Sequence, residues 1–134
     1  MTTPSSHDAS EQGDRSLETI LTEMVFPADE TEPAERTLSR LVTENYRQRV
    51  NGKVYSRAHM AAHLTDVRTM LAGGRVELVE GLRDGNRLAA RLLFHGKEAT
   101  FESTVVARLA ADGRVASAVE IARPLDGTDD DALL

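Results

Sequence analysis

The 134-residue sequence contains no cysteine and no tryptophan, and aromatic residues make up only 4% of it. The absence of cysteine excludes disulfide bonds and thiolate metal sites, and it fits a reducing compartment. Few aromatic rings means few stacking platforms for single-stranded nucleic acid. No apolar run approaches the roughly 20 residues of a membrane span, and the first residues lack an export pattern. We therefore expect a cytoplasmic protein without a membrane partner.

The charge balance excludes a further class of partner. The sequence carries a formal net charge of -6, which repels a polyphosphate, so nucleic acid is not expected as a partner. No glycine-rich phosphate loop, nucleophile elbow or paired-carboxylate motif is present. The sequence gives no reason to expect a cofactor.

The composition divides the chain into one domain with two polar ends. Residues 1–15 have the composition of a disordered head, and residues 126–134 form an acidic tail with three consecutive aspartates. Residues 16–125 are enough for one hydrophobic core.

Three amphipathic helices are predicted in the first half of this domain. Ser16 is placed to cap the first helix, which Pro27 ends, and Ser56 is placed to cap the third, which Gly73 and Gly74 end. The second is predicted to begin after Pro33 and to run to a turn at Asn51 and Gly52. Its apolar stripe is Leu38, Leu41, Val42, Tyr46 and Val50.

Residues 75–124 alternate strand-like runs with short turn signals, which predicts a four-stranded antiparallel meander. Helices followed by a continuous antiparallel sheet indicate an α+β fold with the helices on one face of the sheet. The loops are predicted as Arg83–Gly85 and Ala111–Gly113, of three residues each, and Gly96–Lys97, of two.

Loop length fixes which side chains share a face, because a shift of one residue turns every side chain over. These loops place the apolar sets of all four strands on one face, including Leu82 and Leu88. The outer face then carries Glu120 among other charged residues. Candidate ligand contacts on the apolar face are Leu92, Phe94, Phe101, Ser103, Val105, Ser117, Val119 and Ile121.

Four polar residues interrupt the predicted apolar face: Glu80, Ser103, Ser117 and Arg123. Burial of such groups costs on the order of 1 to 3 kcal/mol each unless they are paired. They therefore lie either at the rim in water or around a polar pocket, where Glu80 and Arg123 would meet a ligand. Tyr46 and Tyr55 each offer a hydroxyl at the end of an apolar ring and are further candidate ligand contacts.

His59 and His63 lie one helical turn apart, a spacing at which two imidazoles can share a metal ion. The glutamate of the H-E-x-x-H motif and a third ligand are missing, so no metal site is predicted. An acid-base pair of His63 with Asp66 is one alternative, and ordinary surface or core-edge histidines are the other.

Three segments, YRQRVNGKVYSRAHMAAHLTDVR, VELVEGLRDGNRLAARLLFHG and ADGRVASAVEIARPLD, resemble the SnoaL-like branch of the nuclear transport factor 2-like superfamily. The similarity covers roughly residues 38 to 125. It implies a cone-shaped α+β barrel, in which a curved sheet wraps over helices around an apolar cavity. It also implies a homodimer formed through the outer face of the sheet.

The sequence departs from the family at the last strand. Catalytic SnoaL-like members commonly carry a pattern like W-D-x-x-D there, whose final aspartate acts as a base. Alignment on DGRV puts Val119 at the tryptophan and Arg123 at the base. An arginine does not act as a base near neutral pH, although it can hold an anion or an enolate.

Three hypotheses follow. The first is a domain that binds a small hydrophobic organic molecule without catalysis. The second is an isomerase, cyclase or dehydratase in which His63 or Glu80 transfers protons and Arg123 polarises an oxygen. The third is a non-catalytic homodimeric association module with a filled core.

Overall fold

The computed structural model describes residues 12–125, so the predictions for residues 1–11 and 126–134 lie outside the described residues. Three helices of the described segment pack on a curved sheet of six strands. The helices are α1 (Ser16–Val25), α2 (Ala34–Leu41) and α3 (Arg57–Met70). The strands are β1 (Val42–Val50), β2 (Lys53–Ser56), β3 (Arg75–Asp84), β4 (Arg87–His95), β5 (Thr100–Leu109) and β6 (Val115–Leu125).

The strand order is β2-β1-β6-β5-β4-β3, and neighbours are antiparallel except β1 and β6, which run parallel. The predicted meander is therefore present as β3 to β6, and a further hairpin extends it at the β6 edge. The helices cover one face, here called the inner face, because α1 contacts β3 and β4 while α3 contacts β1 and β2. Fully buried Leu38, Val42, Leu88 and Leu92 form the centre of this core.

The first and third helices occur as predicted. The Ser56 hydroxyl caps α3 by accepting a hydrogen bond of 3.3 Å from the backbone N–H of His59. Ser16 is the first residue of α1 rather than its cap, and its own N–H donates to the Asp14 carboxylate at 2.8 Å. No helix in the described part of the chain is long and apolar enough to cross a membrane.

The predicted second helix is wrong beyond Leu41, because residues 42–50 form strand β1. Val42, Tyr46 and Val50 are spaced by four residues, a spacing that suits one face of a helix and one face of a strand equally. Pairing with β2 and β6 decides the outcome, because it buries Tyr46 and Gln48 while their neighbours stay exposed.

Asn51 and Gly52 form the tight turn between β1 and β2 rather than the end of a helix. Both residues have positive φ, 49° and 85°, and Val50 pairs directly with Lys53. A two-residue turn with two positive φ angles matches the right-handed twist of a hairpin, and Asn-Gly is its strongest sequence signal.

Residues 12–15, which were predicted to belong to the polar head, contact strand β3. The Asp14 N–H donates to the Gly81 carbonyl at 2.9 Å, and Gly13 and Gly81 form a parallel bridge. A Cβ atom on either glycine would lie 1.9 Å from a backbone oxygen of the opposite segment. This close approach requires glycine on both sides, and it packs residues 13 and 14 against β3.

The register of the meander differs from the predicted one at each hairpin. The first loop is Gly85 and Asn86, and an extra residue, Val79, bulges from β3. The second loop has four residues, Gly96 to Ala99, which shifts the pairing by two and leaves the faces unchanged. The third loop is as predicted, but Ala116 bulges from β6 between the pairs Leu109–Val115 and Arg108–Ser117.

The two bulges change which side chains face the core. Leu82 was predicted inside and lies outside, with 68% of its surface exposed, because Val79 reverses the alternation beyond it. In β6 the bulge at Ala116 turns every later residue over. Ala118, Glu120, Ala122 and Pro124 consequently face inward, whereas Val119, Ile121 and Arg123 face outward.

Candidate functional site

A cavity of about 270 Å³ lies between the inner face of the sheet and helices α1 and α3. Its walls are mostly apolar and include Leu21, Met60, Phe94 and Phe101. Phe94 and Phe101 are direct partners across β4 and β5, so their rings stand side by side in the wall. The polar side chains of the lining are Gln48, Asn51, His63, Ser103 and Glu120.

Glu120 is the carboxylate of the cavity, and neutral donors hold both of its oxygens. The Gln48 amide donates from Nε2 to Oε1 at 2.9 Å, and the Ser103 hydroxyl donates to Oε2 in a short hydrogen bond. Gln48 and Ser103 are themselves buried. Since an ionised carboxylate accepts up to about four hydrogen bonds, two acceptor positions of Glu120 remain for a ligand or water.

Tyr46 supports this carboxylate from behind. Its hydroxyl donates to Oε1 of Gln48 at 2.5 Å, which leaves the Gln48 amide nitrogen to point at Glu120. Burial raises the pKa of Tyr46 above its usual value of 10.0, and the charge of Glu120 raises it further. Tyr46 therefore remains a neutral donor and fixes the orientation of Gln48. We call Tyr46, Gln48, Ser103 and Glu120 the Glu120 cluster.

The turn residue Asn51 fixes the strand that carries Glu120. Its side chain donates to the Ala122 carbonyl at 3.0 Å and accepts from the Ala122 N–H at 2.9 Å. Its backbone N–H also donates to the Glu120 carbonyl at 3.0 Å. Asn51 thus continues the pairing of β1 with β6 past the end of β1 and holds the segment from Glu120 to Ala122 in place.

His63, on α3, contributes the cavity's imidazole. Its ring packs on Tyr55 with centroids 4.9 Å apart, and the Lys53 ammonium lies 5.1 Å from the centre of the Tyr55 ring. The predicted pair of His63 with Asp66 is not formed, because Asp66 is exposed and no hydrogen bond joins the two within residues 12–125. His59 is exposed, and the same residues contain no cluster of three or more metal-ligating side chains.

The structure brings only some of the predicted contacts to the cavity. Phe94, Phe101, Ser103 and His63 line it. Leu92 and Val105 are buried in the core beside it, and Tyr46 and Tyr55 stand behind lining residues.

The remaining predicted site residues lie elsewhere. Ser117, Val119 and Ile121 are on the outer face because of the Ala116 bulge, so the face predicted for them is wrong. Arg123 is also outside, where its Nε donates to Glu102 at 2.9 Å. Glu80 is exposed on β3 beyond the Val79 bulge. Neither Glu80 nor Arg123 therefore lines the cavity.

The prediction that Glu120 faces outward is wrong for the same reason. Sequence reasoning also missed Gln48 and Asn51, because both were assigned to a helix and its end. The Asn-Gly pair was the available signal, since it would have placed a hairpin at residues 51 and 52 and hence strands on either side.

No model of a known protein family matches this sequence, and no curated protein matches it. Solved structures do match its fold. One is a SnoaL-like family protein from Agrobacterium tumefaciens str. C58 with a proposed isomerase activity, at 18% identity and a TM-score of 0.61, covering 79% of this chain and 96% of the other. A nuclear transport factor 2-like protein of unknown function from Silicibacter pomeroyi DSS-3 shows 16% identity and a TM-score of 0.58, covering 92% and 100%.

A third match is a protein with a ketosteroid isomerase-like fold from Catenulispora acidiphila DSM 44928, crystallised in complex with trimethylamine. It shares 15% identity with a TM-score of 0.56, and the alignment covers 75% of this chain and 82% of that one. At these identities the likeness concerns the fold. The described chain has the SnoaL-like, nuclear transport factor 2-like fold, which confirms the resemblance seen in the sequence.

Proposed function

We propose that this protein binds a small, mostly apolar organic molecule in the cavity, with a polar group of the ligand bonded to Glu120. The observation that carries the proposal is a cavity of about 270 Å³ with apolar walls and a single, preorganised carboxylate. Apolar walls with a few oriented polar groups are the usual design of small-molecule sites. The complex of a structural neighbour with trimethylamine supports a small organic ligand for this fold.

A bulky side chain on the inner side of β6 would fill the cavity, and this tests the proposal. Ala122 lines the cavity and Ile121, the next residue, is 66% exposed on the outer face. Binding of a library of small organic fragments is measured by NMR. We expect Ala122→Phe to weaken this binding at least about tenfold, because the ring occupies the ligand's space. Ile121→Phe is the matched control and should leave binding unchanged.

Native mass spectrometry of protein purified from its own host gives an independent readout. A retained small molecule that is lost in Ala122→Phe and kept in Ile121→Phe would support the proposal. Absence of a retained molecule together with no fragment binding to the folded wild type would refute it.

Acid-base catalysis is a second candidate function, and the position of Glu120 favours it. A carboxylate fixed by Gln48 and Ser103 in an apolar cavity can accept a proton from a ligand, and His63 is a second proton-transfer group in the same lining. The proposed isomerase activity of one structural neighbour is in keeping with such chemistry. Glu120 takes the role that Glu80 held in the sequence hypothesis.

This candidate is testable without a known substrate. Small cyclic ketones in heavy water lose their α-hydrogens to a positioned base, and proton NMR follows the loss. Wild-type protein should accelerate the exchange of at least one ketone, while Glu120→Gln should abolish the acceleration and Glu80→Gln should retain it. Equal rates with wild type and Glu120→Gln would contradict a base role for Glu120.

We also propose that the outer face of the sheet forms a homodimer. A row of directly paired residues crosses all six strands on this face: Val54, Arg49, Val119, Val106, Ala89 and Leu82. Its large apolar members are about half exposed or more. Apart from Arg49 the row is apolar, and a row that crosses a two-fold axis meets an identical row, which makes a second copy of this chain a complementary partner.

Sedimentation equilibrium tests the dimer directly. The wild type should sediment as a dimer at micromolar concentration, and Val106→Lys should sediment as a monomer because it places a charge in the middle of the row. Lys97→Ala, in the loop outside the row, is the control. A monomeric wild type would refute the dimer.

A further inference from the structure

We infer that the ligand of the cavity is an organic cation, a protonated amine carried on a small apolar body. This inference rests on the proposed ligand-binding function and names its ligand class. It begins with the charges of the cavity. Glu120 is the carboxylate of the lining, and the lining contains no lysine or arginine.

The charge of Glu120 is stabilised but not neutralised. Its partners within residues 12–125 are the Gln48 amide and the Ser103 hydroxyl, both neutral, and no salt bridge to it occurs among these residues. The nearest arginine along β6, Arg123, points to the opposite face and bonds Glu102. An ionised Glu120 with only neutral partners favours a cation and repels an anion.

The acceptors of Glu120 select a donor as well as a charge. With Oε1 and Oε2 each accepting one hydrogen bond from the protein, the free lone pairs suit an N⁺–H group. Charge-assisted hydrogen bonds are roughly twice as strong as neutral ones, so an ammonium should be preferred over a hydroxyl on the same body. Because Tyr46 and Gln48 already hold the carboxylate in place, little ordering remains for the ligand to induce.

The aromatic part of the wall is placed to help. Phe101 lies two residues from Ser103 on the inner face of β5, a separation of about 6.6 Å along a strand. Its ring and that of Phe94 line the same cavity as Glu120, so the apolar body of a Glu120-bound ammonium would meet an aromatic wall.

The volume sets the size of the body. A cavity of 150 Å³ accepts benzene, so one of about 270 Å³ takes roughly nine or ten non-hydrogen atoms. Three compounds of this size differ only in their polar group: 2-phenylethylamine, a cation at neutral pH, 2-phenylethanol, a neutral donor, and phenylacetate, an anion. They form a matched set of probes for the charge preference.

The experiment measures binding of the three probes to the wild type by NMR titration at physiological salt. We expect the amine to bind at least about tenfold more tightly than the alcohol, and phenylacetate to bind most weakly. Glu120→Gln keeps the size of the side chain and removes its carboxylate, so the affinity for the amine should fall to that for the alcohol. The chain is acidic overall, so Glu80→Gln, which removes an exposed carboxylate outside the cavity, is the control and should keep the amine preference.

The outcomes separate this inference from the proposed function. Equal binding of amine and alcohol, or tighter binding of phenylacetate, would overturn the cation and leave the binding function standing. An amine preference that survives in Glu120→Gln would also overturn it, because the attraction would then come from the surface. If none of the probes binds the folded wild type, and the fragment library also gives no binder, both fail together. The wild-type series alone decides the charge preference if Glu120→Gln does not fold.

Discussion

The two faces of the sheet differ in the partners that their polar groups have. On the inner face, Glu120, Gln48, Ser103 and Tyr46 bond one another with neutral donors and no salt bridge among the described residues. On the outer face, carboxylates pair with cations in contact with water, as in Glu102 with Arg123. Exposed ion pairs contribute about 0 to 1 kcal/mol. Unpaired polar groups are most costly in the interior, so the inner face relies on a specific network.

The same strand serves both faces. In β6, Glu120 faces the cavity, whereas Val119 and Ile121 face outward. The one-residue bulge at Ala116 determines these orientations. Without the bulge, Glu120 would be a surface charge and the cavity would have lost its carboxylate. A one-residue irregularity of the backbone therefore determines that the cavity contains a carboxylate.

The largest effect expected from this comparison concerns two leucines. Leu92 on the inner face is 0% exposed, whereas Leu82 on the outer face is 68% exposed. Leu92→Ala should lower the free energy of unfolding by about 2 to 5 kcal/mol, because it leaves a cavity in the core. Leu82→Ala should change it by less than about 0.5 kcal/mol in a dilute monomer. Urea unfolding of both variants at low protein concentration measures the difference, and a large loss for Leu82→Ala that does not depend on concentration would mean that the bulge at Val79 is misplaced.

Periodicity and turn chemistry predicted the first and third helices and the meander, whereas the resemblance to known sequences supplied the fold family. The segments around Met60 and Leu64 and the turn at Asp112 and Gly113 are examples. The predicted side-chain faces were correct on one side of each bulge and reversed on the other side, within the same strand. A bulge has no reliable signal in the residues themselves, since Val79 and Ala116 are ordinary strand residues, and it arises from the curvature of the whole sheet.

The candidate site was correspondingly half predicted. Ser103, Phe94, Phe101 and His63 line the cavity as expected, because no bulge lies between them and the turns or caps that fix them. Glu120 was missed because its face depends on Ala116. Gln48 was missed because β1 exists only through pairing with β2 and β6, an influence of tertiary structure that local periodicity does not contain.

The next effect concerns two glutamates. Glu120→Ala should lower the free energy of unfolding by about 1 to 3 kcal/mol, because the Gln48 amide and the Ser103 hydroxyl lose their acceptor in the interior. Glu80→Ala, at an exposed position, should change it by less than about 0.5 kcal/mol. Denaturant titration checks both. A more stable Glu120→Ala would show that desolvation of the carboxylate outweighs its hydrogen bonds, so that the Glu120 cluster serves binding at a cost in stability.

The pH dependence of stability gives a smaller effect that is specific to the inner face. Burial raises the pKa of Tyr46 above its unfolded value of 10.0, so the folded state retains this proton more strongly than the unfolded state. The stability that this proton contributes to the folded state is complete below pH 10 and is lost as the pH rises further. The wild type should therefore lose more stability than Tyr46→Phe between about pH 10 and 12. Parallel curves for the two proteins in this window would contradict the burial of the hydroxyl.

The smallest effect is expected at Ile121, whose side chain is 66% exposed next to the apolar row of the outer face. In a dilute monomer, Ile121→Thr should change the free energy of unfolding by less than about 0.5 kcal/mol, because little apolar surface is lost from the interior. In a dimer the same side chain is covered, so the loss should grow with protein concentration. Thermal unfolding at two concentrations, a hundredfold apart, separates the cases. A large loss that is independent of concentration would mean that Ile121 packs within its own chain, and the contrast between the two faces would then be wrong.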